Sequence, residues 1–263
     1  MHSHPSDDRR LIELQAPRRN RYFNGKLLAP SDLALEQDYG RGSDAQLANL
    51  VLGAGVLCGL DVTAVSSGSE LGVHVSPGVA LDGWGRRIVV PDDVDIVPLK
   101  VTDEGGEPLG LDAPVPPELV VKLCYREWQA ESMPALASDP SAEGNEATEA
   151  GQWIESYRID VRAGAVGPSG LACTDRVLDL MRAGDLTRAL AVLAQGACAE
   201  PPQDPCIVLA TLSVSDDGGL TVDALGPRTV VPTNLMLMRM VACLAARIEE
   251  CCAHPTPTPS PSP

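Results

Sequence analysis

Aromatic side chains are scarce in this 263-residue chain: they make up 3% of it, and Phe23 is the sole phenylalanine. A core drawn from such a composition has to be built from Val, Leu, Ile and Ala. Histidine is thin as well. Of the four, His2, His4 and His254 lie in terminal segments, which leaves His74 as the ordered candidate for proton transfer near neutral pH. Positive charge is outweighed, with 20 Lys and Arg against 36 Asp and Glu and a formal charge of −16. That sign is wrong for neutralising phosphates, so no nucleic-acid partner is expected. No stretch approaches the roughly 20 apolar residues of a membrane helix, and the opening MHSHPSDDRR has no apolar signal core. Membrane insertion is therefore not expected, and cytoplasmic synthesis is.

Nucleotide-binding loops are missing too. No Gly-rich loop leads into a Lys-Ser or Lys-Thr pair. The run Gly53-Ala54-Gly55-Val56-Leu57-Cys58 lacks the last glycine of the dinucleotide fingerprint and leads into strand-like residues where that fingerprint needs a helix.

What is present is concentrated between Arg21 and Pro91: RYFNGKLLAPSDLALEQDY, then LGAGVLCGLDV, then VSPGVALDGWGRRIVVP. Pro30 and Ser31 open a helix, with Ser31 as the expected N-cap and Asp32 in the first turn, where a negative charge meets unpaired N–H groups. Gly40-Arg41-Gly42 falls inside it, and each interior glycine costs about 1 kcal/mol relative to alanine, which predicts a kink or a split. Gly53, Gly55 and Gly59 permit a sharp turn that sends residues 56–65 off as one strand. Pro77-Gly78 and Gly83-Trp84-Gly85 bracket alternating residues that lead into 87–90, the grammar of a hairpin.

In these segments the chain resembles a family of structural proteins associated with phage tails and phage tail-like contractile injection systems, at the baseplate or in fibre-like attachments. That family has a similar "RYF-G-LL…DL..EQ.Y" opening, a "GVV.GL.V" turn and a "PG.A.D..GR.IVV" run. The resemblance continues through the "Y.E" and "YRI.V" strand ends, to about Val241. It implies an assembly component of such a particle and no enzyme. Its partners would be other subunits of the particle, with a homo-oligomer left open, and its final location the tail-like particle, whether released or retained. The rival reading is a carbohydrate- or receptor-binding module displayed on a tail fibre, with Trp84, Trp128 and Trp153 as platform candidates.

The rest of the chain predicts an α+β protein of mostly short antiparallel strands in two β units, with an N-terminal and a C-terminal helix. Residues 1–20 read as a basic flexible arm. Within the first thirty residues Arg9, Arg10, Arg18, Arg19, Arg21 and Lys26 face only Asp7, Asp8 and Glu13, a surplus of three positive charges. Residues 21–128 carry the helix and first β unit, 129–152 an acidic mobile insertion, and 153–232 the second β unit with short helices broken at Gly184. A hairpin of 207–214 with 220–225 belongs to that second unit. The helix at 233–252 places Leu237, Val241, Leu244, Ile248 and Cys251 at coiled-coil spacing, and its stripe is expected to pack on the β body, with an intersubunit contact as the equal alternative. The tail 253–263 is Pro-rich and extended. Tyr22 and Phe23 are the expected N-terminal anchor, and with Leu237, Val241, Leu244 and Ile248 they form the expected assembly interface.

Catalytic and cofactor sites have little to stand on. His74 with Ser76 lacks a third partner, and Asp82, Asp92, Asp93 and Asp95 lack the alternating ligand pattern of a calcium loop. No cofactor is expected. Among the eight cysteines, Cys173, Cys198 and Cys206 are the candidates for a structural zinc or a disulfide, with Cys124 as a fourth ligand. Free thiols are the expected state, with Cys58 and Cys243 in the core.

Overall fold

The structure is a computed structural model, and it describes residues 5–67, 70–103, 107–109, 116–134, 148–166, 174–195, 200–215 and 219–253. In chain order the described elements are α1 (Pro5–Ile12), α2 (Pro30–Leu52), β1 (Gly55–Gly59), β2 (Val62–Ser67), β3 (Glu70–Val75), β4 (Gly78–Leu81), β5 (Arg87–Val90), β6 (Val94–Ile96), β7 (Val101–Thr102), β8 (Glu118–Pro134), β9 (Thr148–Ala163), α3 (Asp175–Arg182), α4 (Leu186–Ala194), β10 (Ile207–Val214), β11 (Leu220–Asp223) and α5 (Asn234–Ala253). The fold is α+β. Strands assemble as β1-β4-β5, β2-β3-β6 and β11-β10-β8-β9-β7, antiparallel throughout except where β7 meets β9.

All three sheets share one core. Val56, Leu60, Val73, Val75, Ile88 and Val90 from the N-terminal half pack in the same cluster as Leu119, Val121, Leu123, Val161, Leu209 and Leu212. The expected division into two β units thus runs through a single apolar interior, as an aliphatic core with few rings to fill it requires.

The strand expected over 56–65 is broken at its centre. Gly59 and Leu60 both have positive φ, 63° and 60°, and this corner moves the chain from the sheet of β1 to that of β2. Leu60 is fully buried and donates its N–H to the Pro77 carbonyl at 3.2 Å, which holds a non-glycine residue in an unfavourable conformation.

Both helix expectations at the N-terminus change. Residues 5–12 form a helix against α2 instead of a frayed arm, with Ile12 buried. α2 runs unbroken past Gly40-Arg41-Gly42, because a Cβ at Gly42 would stand 3.2 Å from the Leu11 carbonyl oxygen, and its absence lets α1 approach. The N-cap is Ala29 and not Ser31, since Asp32 reaches back to accept the Ala29 N–H at 3.0 Å. At α5, likewise, a side chain before the helix serves its first turn, with Thr233 Oγ1 accepting the Met236 N–H at 3.3 Å. The break between α3 and α4 is as expected, with Gly184 at positive φ and Asp185 accepting from the Arg188 N–H.

The segment 129–152, expected as a mobile loop, is strand at both ends. β8 and β9 stay in register from Leu119 opposite Ala163 out to Pro134 opposite Thr148. β10 covers β8 only up to Leu123, and β7 meets β9 only at Val161 and Arg162, so beyond them the pair is a two-stranded ribbon. Poor strand formers such as Gln129 and Gln152 are carried by the hydrogen-bond ladder started nearer the core.

Candidate functional site

The structure assembles an internal joint and a set of exposed apolar surfaces, and the N-terminal signature contributes to both. The joint is centred on Asp82, which is fully buried. Its Oδ1 accepts the backbone N–H groups of Trp84 and Arg86, each at 2.9 Å, as the tight turn between β4 and β5 brings them round. Arg86 donates to Oδ2 through Nε and Nη2, at 2.8 and 2.7 Å. Its guanidinium lies between the rings of Trp84 and Tyr125, 4.4 and 4.3 Å from their centroids. Burial pushes the Asp82 carboxyl above the ordinary carboxylate range, against the opposing pull of Arg86.

The joint reaches the rest of the fold through polar contacts. Trp84 Nε1 donates to the Pro202 carbonyl at 2.8 Å, and the Asn49 side chain donates to the Gly83 carbonyl at 2.6 Å. A Cβ at Gly85 would run into the Ala45 carbonyl, so glycine there lets the turn touch α2. Tyr125 donates to Glu127 at 2.6 Å, and Arg41 on α2 approaches the same carboxylate oxygen at 3.4 Å. Burial, followed by the Glu127 hydrogen bond, raises the Tyr125 phenol well above its usual range. The aspartate and arginine of the "PG.A.D..GR" run are therefore an internal ion pair, and Asp82 is not placed to hold a sugar or calcium.

The apolar surfaces lie on helices and on the N-terminal lead-in. Tyr22, Phe23 and Leu27 are 54%, 62% and 90% exposed. Below them Lys26 ties the lead-in to the start of α2, 2.9 Å from Asp32 and 5.5 Å from the Tyr22 ring centroid. The Asp32 carboxyl is held below the usual range by the Ala29 N–H and Lys26. On α2, Leu47, Leu50, Val51 and Leu52 are exposed, and on α5 so are Leu235, Leu237, Met238, Met240, Val241 and Leu244. The α5 stripe does not pack on the β body as expected, and the side chain of Ile248 lies outside the described residues. The two helices leave the body at one corner, because Val56, shortly after α2, bonds Thr229 and Val231, shortly before α5, at 2.9 and 3.0 Å.

Cys124 and Cys206 form a disulfide, which corrects the expectation of free thiols and removes Cys206 from any zinc set in this state. Cys173 and Cys198 lie outside the described residues. Cys58 and Cys243 are free and exposed, not in the core, since β1 and α5 turn those faces outward. Among the described residues no group of three or more His, Cys, Asp or Glu side chains could hold a metal ion. His74 contacts Asp95 at 2.8 Å and Asp93 at 3.3 Å. The Asp95 hydrogen bond leads the causes that raise its pKa above the ordinary 6.5. The pair fastens β3 to β6, whose register sets His74 opposite Asp95.

The three tryptophans share no platform. Trp84 is buried in the joint. Trp128 stands opposite Ile154 and Trp153 opposite Gln129, and successive residues alternate, so the two ribbon tryptophans face opposite ways. Sequence reasoning missed the Asp82–Arg86 pair and the Cys124–Cys206 bridge. A signal for the first was present in the four-residue spacing of a tight turn, whereas the second depends on which strands pair.

No family model matches the chain, and no curated protein does. Among solved structures it is similar to a chain in the cryo-electron microscopy structure of the type VI secretion system TssK-TssF-TssG baseplate subcomplex. The identity is 14%, the match covers 92% of this chain and 73% of that one, and the TM-score is 0.33. At that TM-score the likeness carries no argument, and the reading below does not rest on it.

Proposed function

We propose that this chain is a structural assembly component of a phage tail-like contractile injection system, positioned at the baseplate or its periphery. The kind of assembly comes from the resemblance in the ordered signature of residues 21–91. The observation that carries an assembly role is the exposure of Tyr22, Phe23, Leu27 and the apolar residues of α2 and α5 on a chain whose strands already bury a common core. Apolar side chains grouped in this way mark surfaces that a neighbouring subunit covers. The chain is made in the cytoplasm and works by shape and not as an enzyme.

Deleting the gene in a strain that makes the particles tests this. Particles should be missing, truncated or short of a peripheral density in micrographs, with no small-molecule activity lost. Normal particles in which mass spectrometry finds no copy of this protein, in the wild type as well as the deletion strain, would overturn the reading.

A further inference from the structure

The Cys124–Cys206 bridge ties the strap of residues 200–206 to the five-stranded sheet. Residues 200–206 cross from the joint to the five-stranded sheet, with the Pro202 carbonyl accepting from Trp84 Nε1 and the Pro205 carbonyl from the Gly83 N–H, both at 2.8 Å. Asp204 anchors the strap to the sheet by accepting from Lys122 Nζ at 2.9 Å and Arg162 Nη1 at 3.0 Å. Ile207 pairs with Leu123, so Cys206, one residue earlier, falls opposite Cys124.

The charges around the two sulfurs are unusual for an inert staple. Arg162 is only 9% exposed, and its Nη2 lies 3.7 Å from Cys124 Sγ and 3.8 Å from Cys206 Sγ. Asp160 Oδ2 lies 3.8 Å from Cys124 Sγ, but that carboxylate is occupied by Arg162 at 3.0 Å and Arg158 at 2.9 Å. The charged groups linked to one another beside the bridge are Lys122, Arg158 and Arg162 with Asp160 and Asp204, and of these Arg162 is the cation that touches both sulfurs. A cation held against sulfur stabilises thiolate, and stabilising the reduced form makes a disulfide easier to open.

We propose that Cys124–Cys206 is a thiol-exchange site that takes a low-molecular-weight thiol at Cys206 and thereby unties the strap. Cys206 is half-buried while Cys124 is 4% exposed, so the external thiolate attacks Cys206 Sγ. The S–S bond breaks and its electron pair leaves on Cys124 Sγ, against Arg162 Nη2. A second external thiolate attacks the external sulfur of the mixed disulfide, releasing Cys206 as thiolate. The protons given up by the two external thiols end on the two protein thiols or in solvent, one external disulfide forms, and the bridge is reduced. The reverse sequence ties the strap again when the chain leaves a reducing compartment.

The test equilibrates the purified full chain with glutathione and glutathione disulfide at neutral pH, then alkylates and maps Cys124 and Cys206 by mass spectrometry. The bridge should open while the chain stays folded, with faster exchange of the Gly83 amide, the Trp84 indole N–H and the amides of the strap. Arg162→Gln should make the bridge about tenfold harder to reduce, while Arg162→Lys, which keeps the charge, restores most of the difference. A bridge that resists excess glutathione, a chain that unfolds when it opens, or an Arg162→Gln protein with an unchanged equilibrium overturns the proposal. If Arg162→Gln does not fold, the pH profile of alkylation in the reduced wild type decides. At least one thiol titrating below the ordinary value of about 8.5 supports the site, and both at or above it overturn it.

Discussion

The two halves of the N-terminal signature have opposite fates. Residues 55–90 turn inward: Val56, Ile88 and Val90 enter the shared core, and Asp82 closes on Arg86 away from water. Residues 21–52 stay outside, with Tyr22, Phe23, Leu27 and the far end of α2 exposed. Both halves are rich in apolar residues, so hydrophobicity alone does not separate them. The inner half alternates with period two and pairs into sheets that cover one another, whereas among the described residues the outer half is met by α1 and the β4–β5 turn and keeps Tyr22, Phe23, Leu27 and the end of α2 exposed. The strands thus bury a common core within this chain, and apolar side chains of the helical rim stay exposed.

Removing the Asp82 carboxylate is the harshest way to break this contrast. Asp82→Ala removes a fully buried carboxylate that holds the Arg86 guanidinium and two backbone donors, so a loss of about 3–5 kcal/mol is expected in denaturant unfolding. A loss within the range of ordinary surface substitutions would mean that the joint does not hold the inner half together.

The outer half should behave differently under an equally drastic change. Leu244→Asp places a charge on a side chain that is 58% exposed, and the isolated chain should keep its stability to within about 0.5 kcal/mol. The same variant should fail to enter particles, because a neighbour covering that face would bury an unpaired charge. Unfolding of the isolated variant would move α5 into the inner class, and normal incorporation would show that nothing covers it.

The smallest effect sharpens the edge of the body. The folded pKa of His74 is raised, so its contact with Asp95 and Asp93 adds stability that is fully present below the ordinary 6.5 and is lost as pH rises through the higher folded value. His74→Gln should remove that pH-dependent component of melting, and a wild-type profile identical to the variant's would show that the contact contributes nothing.

Much of the architecture was legible before the structure. The α3–α4 break follows from Gly184, and the pairing of 207–214 with the strand after 219 follows from hairpin alternation. The unbroken α2 was not legible, because the reason for Gly42 is Leu11, a residue far away in the chain. The corner at Leu60 was hidden for a similar reason: no local rule places a leucine at positive φ, and only complete burial compensates for it.

Sequence by itself determined the aliphatic core, the α+β class, the hairpins of β4 with β5 and of β10 with β11, and the helices α2 to α5, since periodicity and turn chemistry act over a few residues. Tertiary structure alone decided that the two expected β units share one interior, that Asp82 and Arg86 face inward, that Cys124 meets Cys206, and that α5 stands clear of the body. Each of these depends on which distant strands become neighbours. Neighbourhood is set by how the sheets cover one another's apolar faces, and no short stretch of residues encodes that.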